Sequence, residues 1–248
     1  MHMKSKEHKL ATITKMFNDL APKYDLLNRI LSMRMDVWWR RRLVSLLEKQ
    51  AREQGQGVMR VLDVAAGTGD LSLMIARSHA LESGEVVAID PAKEMLAIAK
   101  IKYKRAKLPT AKITFQEGNA ELLPFEAGCF GAATVAFGVR NFEDLEGAIT
   151  EIYRVLSKGG TLFVLEFSWG NVHNLLTRKL LRFYFQRVML PVSEFFSGQK
   201  SSYSYLANSI FEFPAGERFL HLLGKRGFGK LEEHKMCWGL VTIYIGVK

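Results

Sequence analysis

The stretch VLDVAAGTGD, residues 61–70, is an apolar run that breaks into Gly-Thr-Gly and ends on an acid. A strand that ends in a glycine turn and opens a helix is how α/β folds hold nucleotides. The dinucleotide fingerprint G-x-G-x-x-G is nevertheless absent. Registered on Gly67 and Gly69, it puts Ser72 at the third glycine; registered on Ala65, it begins with alanine and ends on Asp70. The P-loop lysine is missing too. A turn with these glycines and no provision for pyrophosphate suits a nucleoside ligand without phosphates. Asp63, Ala65, Gly67, Thr68 and Gly69 are its candidate contacts.

Outward from this turn the sequence alternates. Strands are predicted at 58–65, 85–90, 112–118, 129–138 and 161–168, and helices at 70–79, 93–106 and 143–156, the last stopped by Lys158-Gly159-Gly160. Strands alternating with helices of this length predict a doubly wound, Rossmann-like α/β sheet. The tail breaks the rule. KLEEHKMCW (230–238) and GLVTIYIGVK (239–248) follow one another with too short a gap for a helical crossover, which predicts an antiparallel hairpin at the sheet edge and seven strands in all. Residues 10–52 read as helical, clearest in WWRRRLVSLLEKQ (38–50), and 169–215 as a helical, aromatic-rich insertion. The expected organisation is one domain in four parts: a helical cap (1–57), a ligand-binding core (58–168), a cover over the substrate (169–215), and a final helix with the hairpin (216–248).

At 248 residues the chain can bury a sizeable core. No stretch approaches the roughly 20 uninterrupted apolar residues of a membrane span, and MHMKSKEHKL has no apolar signal core. Cys129 and Cys237 have no partners at metal spacing, which points to a reduced, cytoplasmic protein. No His, Cys or carboxylate group has the spacing of a metal site, and His173, His221 and His234 form no constellation. The formal charge is +10, with 13 Lys/Arg against 6 Asp/Glu in residues 1–60. Such a balance attracts nucleic acid, an anionic membrane surface or an acidic ligand.

Two further strand ends narrow the ligand. Asp90 closes the second strand, where an acid reaches ribose hydroxyls. Asn119-Ala120 follows the third strand, where an amide can meet an adenine edge. Three such pieces at successive strand ends predict S-adenosylmethionine (SAM), and the antiparallel tail predicts the class I methyltransferase version of the fold.

YDLLNRILSMRMDVWW (24–39), AFGVRNFED (136–144), RVLSKGGTLFVLEFS (154–168) and SYSYLANSI (202–210) resemble the UbiE/MenG/Coq5 family, the C-methyltransferases of menaquinone and ubiquinone biosynthesis. The resemblance runs from about residue 13 to the end. It implies SAM contacts at Thr68, Asp90, Asn119 and Ala120, and a further contact where the family's serine is Ala136 here. It also implies that Arg140 and Tyr24 act together; Asp25, next to Tyr24, is the residue expected to complete a relay with it. Because a guanidinium is always protonated in practice, the expected role of Arg140 is to stabilise a quinolate. The chain departs from the family pattern at Leu27, Asp36, Ser157, Lys158 and Ser204.

The implied substrate is a prenylated quinol, most simply demethylmenaquinol, with the benzoquinol of ubiquinone synthesis as the alternative. A non-catalytic SAM-binding or scaffold subunit is the alternative of another class. Nucleic-acid base N-methylation is disfavoured, because Ala136-Phe137-Gly138-Val139 stands where such enzymes commonly carry Asn/Asp-Pro-Pro-aromatic. In 172–190, Leu175, Leu176, Leu180, Phe183 and Val188 suit a prenyl tail or lipid, and Arg178, Arg182 and Arg187 suit headgroups. That predicts peripheral association with the inner face of the membrane. Monomer and homodimer both stay open.

Overall fold

The computed structural model describes residues 2–53, 60–78, 84–108, 112–189, 191 and 208–248, with side chains from residue 11 onward. The glycines at 55 and 57 and most of SYSYLANSI, Ser204 included, lie outside them. Seven strands form one sheet: β1 (Arg60–Val64), β2 (Glu85–Asp90), β3 (Lys112–Glu117), β4 (Phe130–Ala136), β5 (Leu156–Phe167), β6 (Gly229–Met236) and β7 (Val241–Val247). Their order is β3-β2-β1-β4-β5-β7-β6. The first five are parallel, and β7 runs antiparallel to both of its neighbours. The terminal hairpin therefore closes one edge as the short gap at 237–239 requires.

Alternation along the strands divides the core. Val61 of β1, Phe163 and Leu165 of β5 and Ile243 of β7 face one side. Helices α2 (Met35–Glu53) and α3 (Asp70–Ala76) cover it, and α2 inserts Trp39, Leu43 and Leu47 at four-residue spacing. Leu62, Val64, Leu162 and Val164 face the other side, beneath α5 (Leu145–Val155) and α7 (Glu217–Lys225). Asp144 caps α5 by accepting from Gly147 N at 2.8 Å. Lys248 closes its other end, donating Nζ to the carbonyls of Tyr153 and Leu156.

The amino-terminal helical section is two helices. α1 (His2–Leu31) and α2 are separated by a turn in which Met33 and Arg34 take left-handed φ of 50° and 63°. α1 packs on α4 (Lys93–Ala106), on which Lys100, Lys104 and Arg105 are exposed. One boundary differs from the sequence reading. Lys158-Gly159-Gly160 lies inside β5, which starts at Leu156 because α5 stops at Val155. The glycines absorb a register shift against β4, where Phe130 pairs with Leu156 and Ala132 with Thr161. In the predicted insertion, α6 (Leu175–Tyr184) runs into a π-helical turn at Phe185–Met189, and residues 208–212 are helical.

Candidate active site

The glycine turn is built from left-handed residues. Ala65, Gly67 and Gly69 have φ of 54°, 56° and 76°. Only glycine fits at 69, where a Cβ would lie 2.8 Å from that of Ala99. Ala65 adopts this conformation although it carries a side chain. Its methyl approaches the tip of β4 so closely that a Cβ on Gly138 would lie 2.5 Å from it. Pairing of β1 with β4 also sets Asp63 opposite Thr134. Asp63 accepts from Thr134 Oγ1 at 2.8 Å and Ser72 Oγ at 2.5 Å, so it ties strand, turn and α3 together. Burial pushes its carboxyl up to about 6, against the pull of those hydroxyls and Arg40.

A cleft opens at the carboxyl ends of β1, β2 and β4. Of the predicted contacts, Ala65, Gly67, Asp90, Asn119, Ala120 and Ala136 line it, as does Tyr24. Asp90 is held from two sides: Oδ2 accepts from Gly67 N and Oδ1 from Ala92 N, both at 2.8 Å. Each oxygen keeps a second lone pair for a ligand hydroxyl. Burial raises its carboxyl to about 6, with the two amides opposing and Asp63 adding to the rise. Among the described residues, the lining holds Asp90 and Glu121 but no Lys or Arg. A phosphate would meet no counter-charge there, whereas a nucleoside bearing a sulfonium and an amino group is suited by it. The donor set fits SAM.

A smaller recess adjoins the cleft, sharing Tyr24, Ala65, Gly67 and Ala136 with it and adding Arg40, Asp63, Thr68 and Asp70. Asp63 and Thr68 thus stand beside the cleft, while Gly69 borders neither space. Behind the recess runs a ladder of charge that sequence reasoning did not find. Lys102 Nζ pairs with Asp25 at 2.5 Å and with Asp70 at 2.7 Å. Arg29 bridges Asp70 to buried Asp36, which also takes Arg40 at 2.7 Å. Thr68 Oγ1 donates to Asp25 at 2.6 Å. Burial opposes ionisation of Asp70, yet Lys102, Arg40 and Arg29 outweigh it and hold the carboxyl below its ordinary range. Four separate helices supply these groups, so no local spacing announces them.

The three predicted catalytic residues do not share one chamber. Tyr24 lines the cleft, edge-on to Phe17 at 6.0 Å. Asp25 faces Lys102 and Thr68. Arg140 lies beyond the tip of β4 and lines neither cavity. Its Nη1 donates to Glu166 Oε1 at 2.6 Å and to the Phe137 carbonyl at 2.7 Å, and its Nε donates to Ser209 Oγ at 3.2 Å. The guanidinium stacks 5.7 Å from the Phe167 ring. Glu166 is fully buried, and burial drives its carboxyl upward while Arg140 pulls it back. Its signal was visible: an acid inside the apolar run TLFVLEFS must be paired once buried.

Among the described residues, no group of three His, Cys, Asp or Glu side chains is placed to hold a metal ion. Two free cysteines are present, both partly buried.

Residues 2–248 match the model of the ubiE/COQ5 methyltransferase family. The chain is 41% identical over 237 residues to a demethylmenaquinone methyltransferase of Thermus thermophilus, covering 93% of this chain and 99% of that protein. It is 39% identical over 236 residues to the ubiquinone/menaquinone biosynthesis C-methyltransferase UbiE of a Geobacter species, covering 95% and 96%. Its fold is similar to that of a SAM-dependent methyltransferase from Thermotoga maritima (TM-score 0.56, 19% identity, 94% of this chain and 99% of that one). With a seven-stranded sheet, a nucleoside cleft free of cations among its described residues and a match along almost its whole length, the chain belongs to the ubiE/COQ5 methyltransferase family.

Proposed function

We propose that this SAM-dependent methyltransferase methylates a ring carbon of a prenylated quinol, converting demethylmenaquinol to menaquinol. The observation that carries the reading is a cleft with doubly anchored Asp90 and no Lys or Arg among its described residues, in a chain 41% identical to a demethylmenaquinone methyltransferase. Bound SAM supplies the methyl group from its sulfonium. Asp90 would accept from the ribose hydroxyls, Asn119 and Ala120 would meet the adenine, and Gly67 and Ala136 would border the nucleoside. Thr68, Asp63 and Gly69 would hold the turn in shape.

A ring carbon becomes nucleophilic when its neighbouring hydroxyl loses a proton, so the enzyme must stabilise an oxyanion and keep water out. Arg140 would do this from beyond β4, its orientation set by Glu166 and Phe137. Tyr24 would reach the ring from the cleft side, with Asp25 steadying α1 through Lys102 and Thr68. In this reading residues 1–57 cap the site, 58–168 hold the cofactor, 169–215 cover the substrate and 216–248 complete the sheet. The enzyme works in the cytoplasm, in peripheral contact with an anionic membrane through 172–190. No helix among the described residues is long and apolar enough to cross a membrane.

Purified protein is incubated in detergent with methyl-labelled SAM and, separately, with reduced demethylmenaquinone and the demethyl ubiquinone precursor. Label in the extracted naphthoquinol, lost in Arg140→Ala, is the expected result. Label in the benzoquinol alone selects the ubiquinone reaction. Label in neither, with SAM still bound, leaves a non-catalytic SAM-binding subunit.

A further inference from the structure

Helix α6 buries none of its ten residues, and Leu175, Leu176, Leu180 and Phe183 stand 60–76% exposed. Two other large apolar side chains project from tight turns: Met33 between α1 and α2, 72% exposed, and Trp238 between β6 and β7, 84% exposed. Each turn holds two successive non-glycine residues in the left-handed region, Met33-Arg34 and Cys237-Trp238. Such backbone is disfavoured for L residues and persists where the surroundings impose it.

Contacts join these three places into one surface. Tyr184 Oη donates to the Leu31 carbonyl at 2.5 Å, fixing α6 to the α1–α2 turn. Arg178 lies 5.6 Å over the Trp169 ring, and the turn at 169–171 meets the turn at 237–239. Trp39, five residues past Arg34, donates its indole N–H toward Cys237 Sγ at 3.3 Å. Beneath lie Phe167 and Phe137, within 5.0 Å of each other, and Phe137 also lines the cleft. The exposed surface therefore lies at the same end of the sheet as the cofactor site.

Its charge selects the occupant. Residues 172–189 contain Arg178, Lys179, Arg182 and Arg187 and no Asp or Glu. Residues 30–35 and 234–241, which carry the two turns, contain no acid either. A protein partner of ordinary surface would need matched acids at defined places, while an anionic bilayer answers apolar side chains ringed by cations with no further shape requirement. We infer that this end of the molecule docks on an anionic lipid bilayer through one plane with three supports: α6, Met33 and Trp238. The inference rests on the quinol reading for its purpose and extends that reading's single membrane segment to two turns remote in sequence.

The test is sedimentation of the full chain with vesicles of phosphatidylcholine, with and without about 30% phosphatidylglycerol. Binding to the anionic vesicles only is expected. Met33→Ser/Trp238→Ser should weaken it about ten-fold, as should Leu176→Ser/Leu180→Ser. Turnover of a short-chain quinol in the absence of lipid should be unchanged in the Met33/Trp238 pair, which shows that it folds. Wild-type binding by the Met33/Trp238 pair overturns the three-support plane. No vesicle binding by the wild type, with short-chain turnover intact, overturns membrane docking and leaves the proposed reaction standing. A dimer in sedimentation velocity that the Met33/Trp238 pair abolishes, without vesicle binding, assigns the surface to a second copy instead.

Discussion

The two sides of the sheet's carboxyl end hold their buried charge differently. On the β1–β2 side, Asp90 is anchored by backbone amides and turns free lone pairs into the cleft. Beyond β4, Glu166 and Arg140 satisfy each other, with Phe137, Ser209 and the Phe167 ring closing around the guanidinium. The first arrangement is open to a ligand before one arrives. The second is a finished ion pair whose first effect is on the fold. A buried acid can thus be a binding group kept at some loss of stability, or a strut whose removal strands a cation.

The comparison is broken most directly at Glu166. Glu166→Ala should lower stability by about 3–5 kcal/mol, because it leaves Arg140 buried without a counter-charge; urea unfolding measures it. Glu166→Gln should lose less, since it keeps a hydrogen-bond acceptor. Asp90→Ala should behave in the opposite sense, with SAM affinity falling about 100-fold by calorimetry and a smaller change in unfolding midpoint than Glu166→Ala. Equal losses of stability in the two variants would erase the distinction. Gly138→Ala should weaken SAM binding about ten-fold by pressing its new methyl on Ala65 at the cleft wall.

The effect of pH sharpens the first half. Asp63 and Asp90 titrate near 3.8 when unfolded and at about 6 in the fold, where burial favours the protonated form. The native state then binds more protons between those values, so both groups make stability fall as pH rises through that window. Asp63→Asn removes one of these opposing charges. The variant should gain on the wild type in thermal midpoint between pH 4 and pH 7. Its SAM binding should hold to lower pH, since Asp63 is one of the charges that raise Asp90. The smallest expected effect is at Ala136, where the family resemblance implies serine. Ala136→Ser should tighten SAM binding about three-fold, the worth of a modest hydrogen bond.

The cleft's lining was legible because its parts lie at the ends of successive strands. Once the alternation is read, Gly67, Asp90, Asn119 and Ala120 fall into one row at the same edge. The surroundings of Arg140 were legible only in part. Arg140 can be singled out, and Glu166 stands out as an acid in an apolar run, but only the packing of distant elements makes them partners and brings Ser209 to the same guanidinium. Asp25 stands beside Tyr24 in the sequence, but its contacts with Lys102 and Thr68 depend on how α1 crosses α4.

Local order along the chain determined the doubly wound sheet, the antiparallel hairpin and the phosphate-free nucleoside turn, because hydrophobic period, glycine placement and connection length act between near neighbours. Tertiary structure alone decided the charge ladder from Asp25 to Arg40, the closure of Arg140 on Glu166, and the contacts that tie α6 to the α1–α2 turn and Trp39 to Cys237. Those depend on the angles at which helices cross the sheet, and such angles are set by the packing of side chains far apart in sequence.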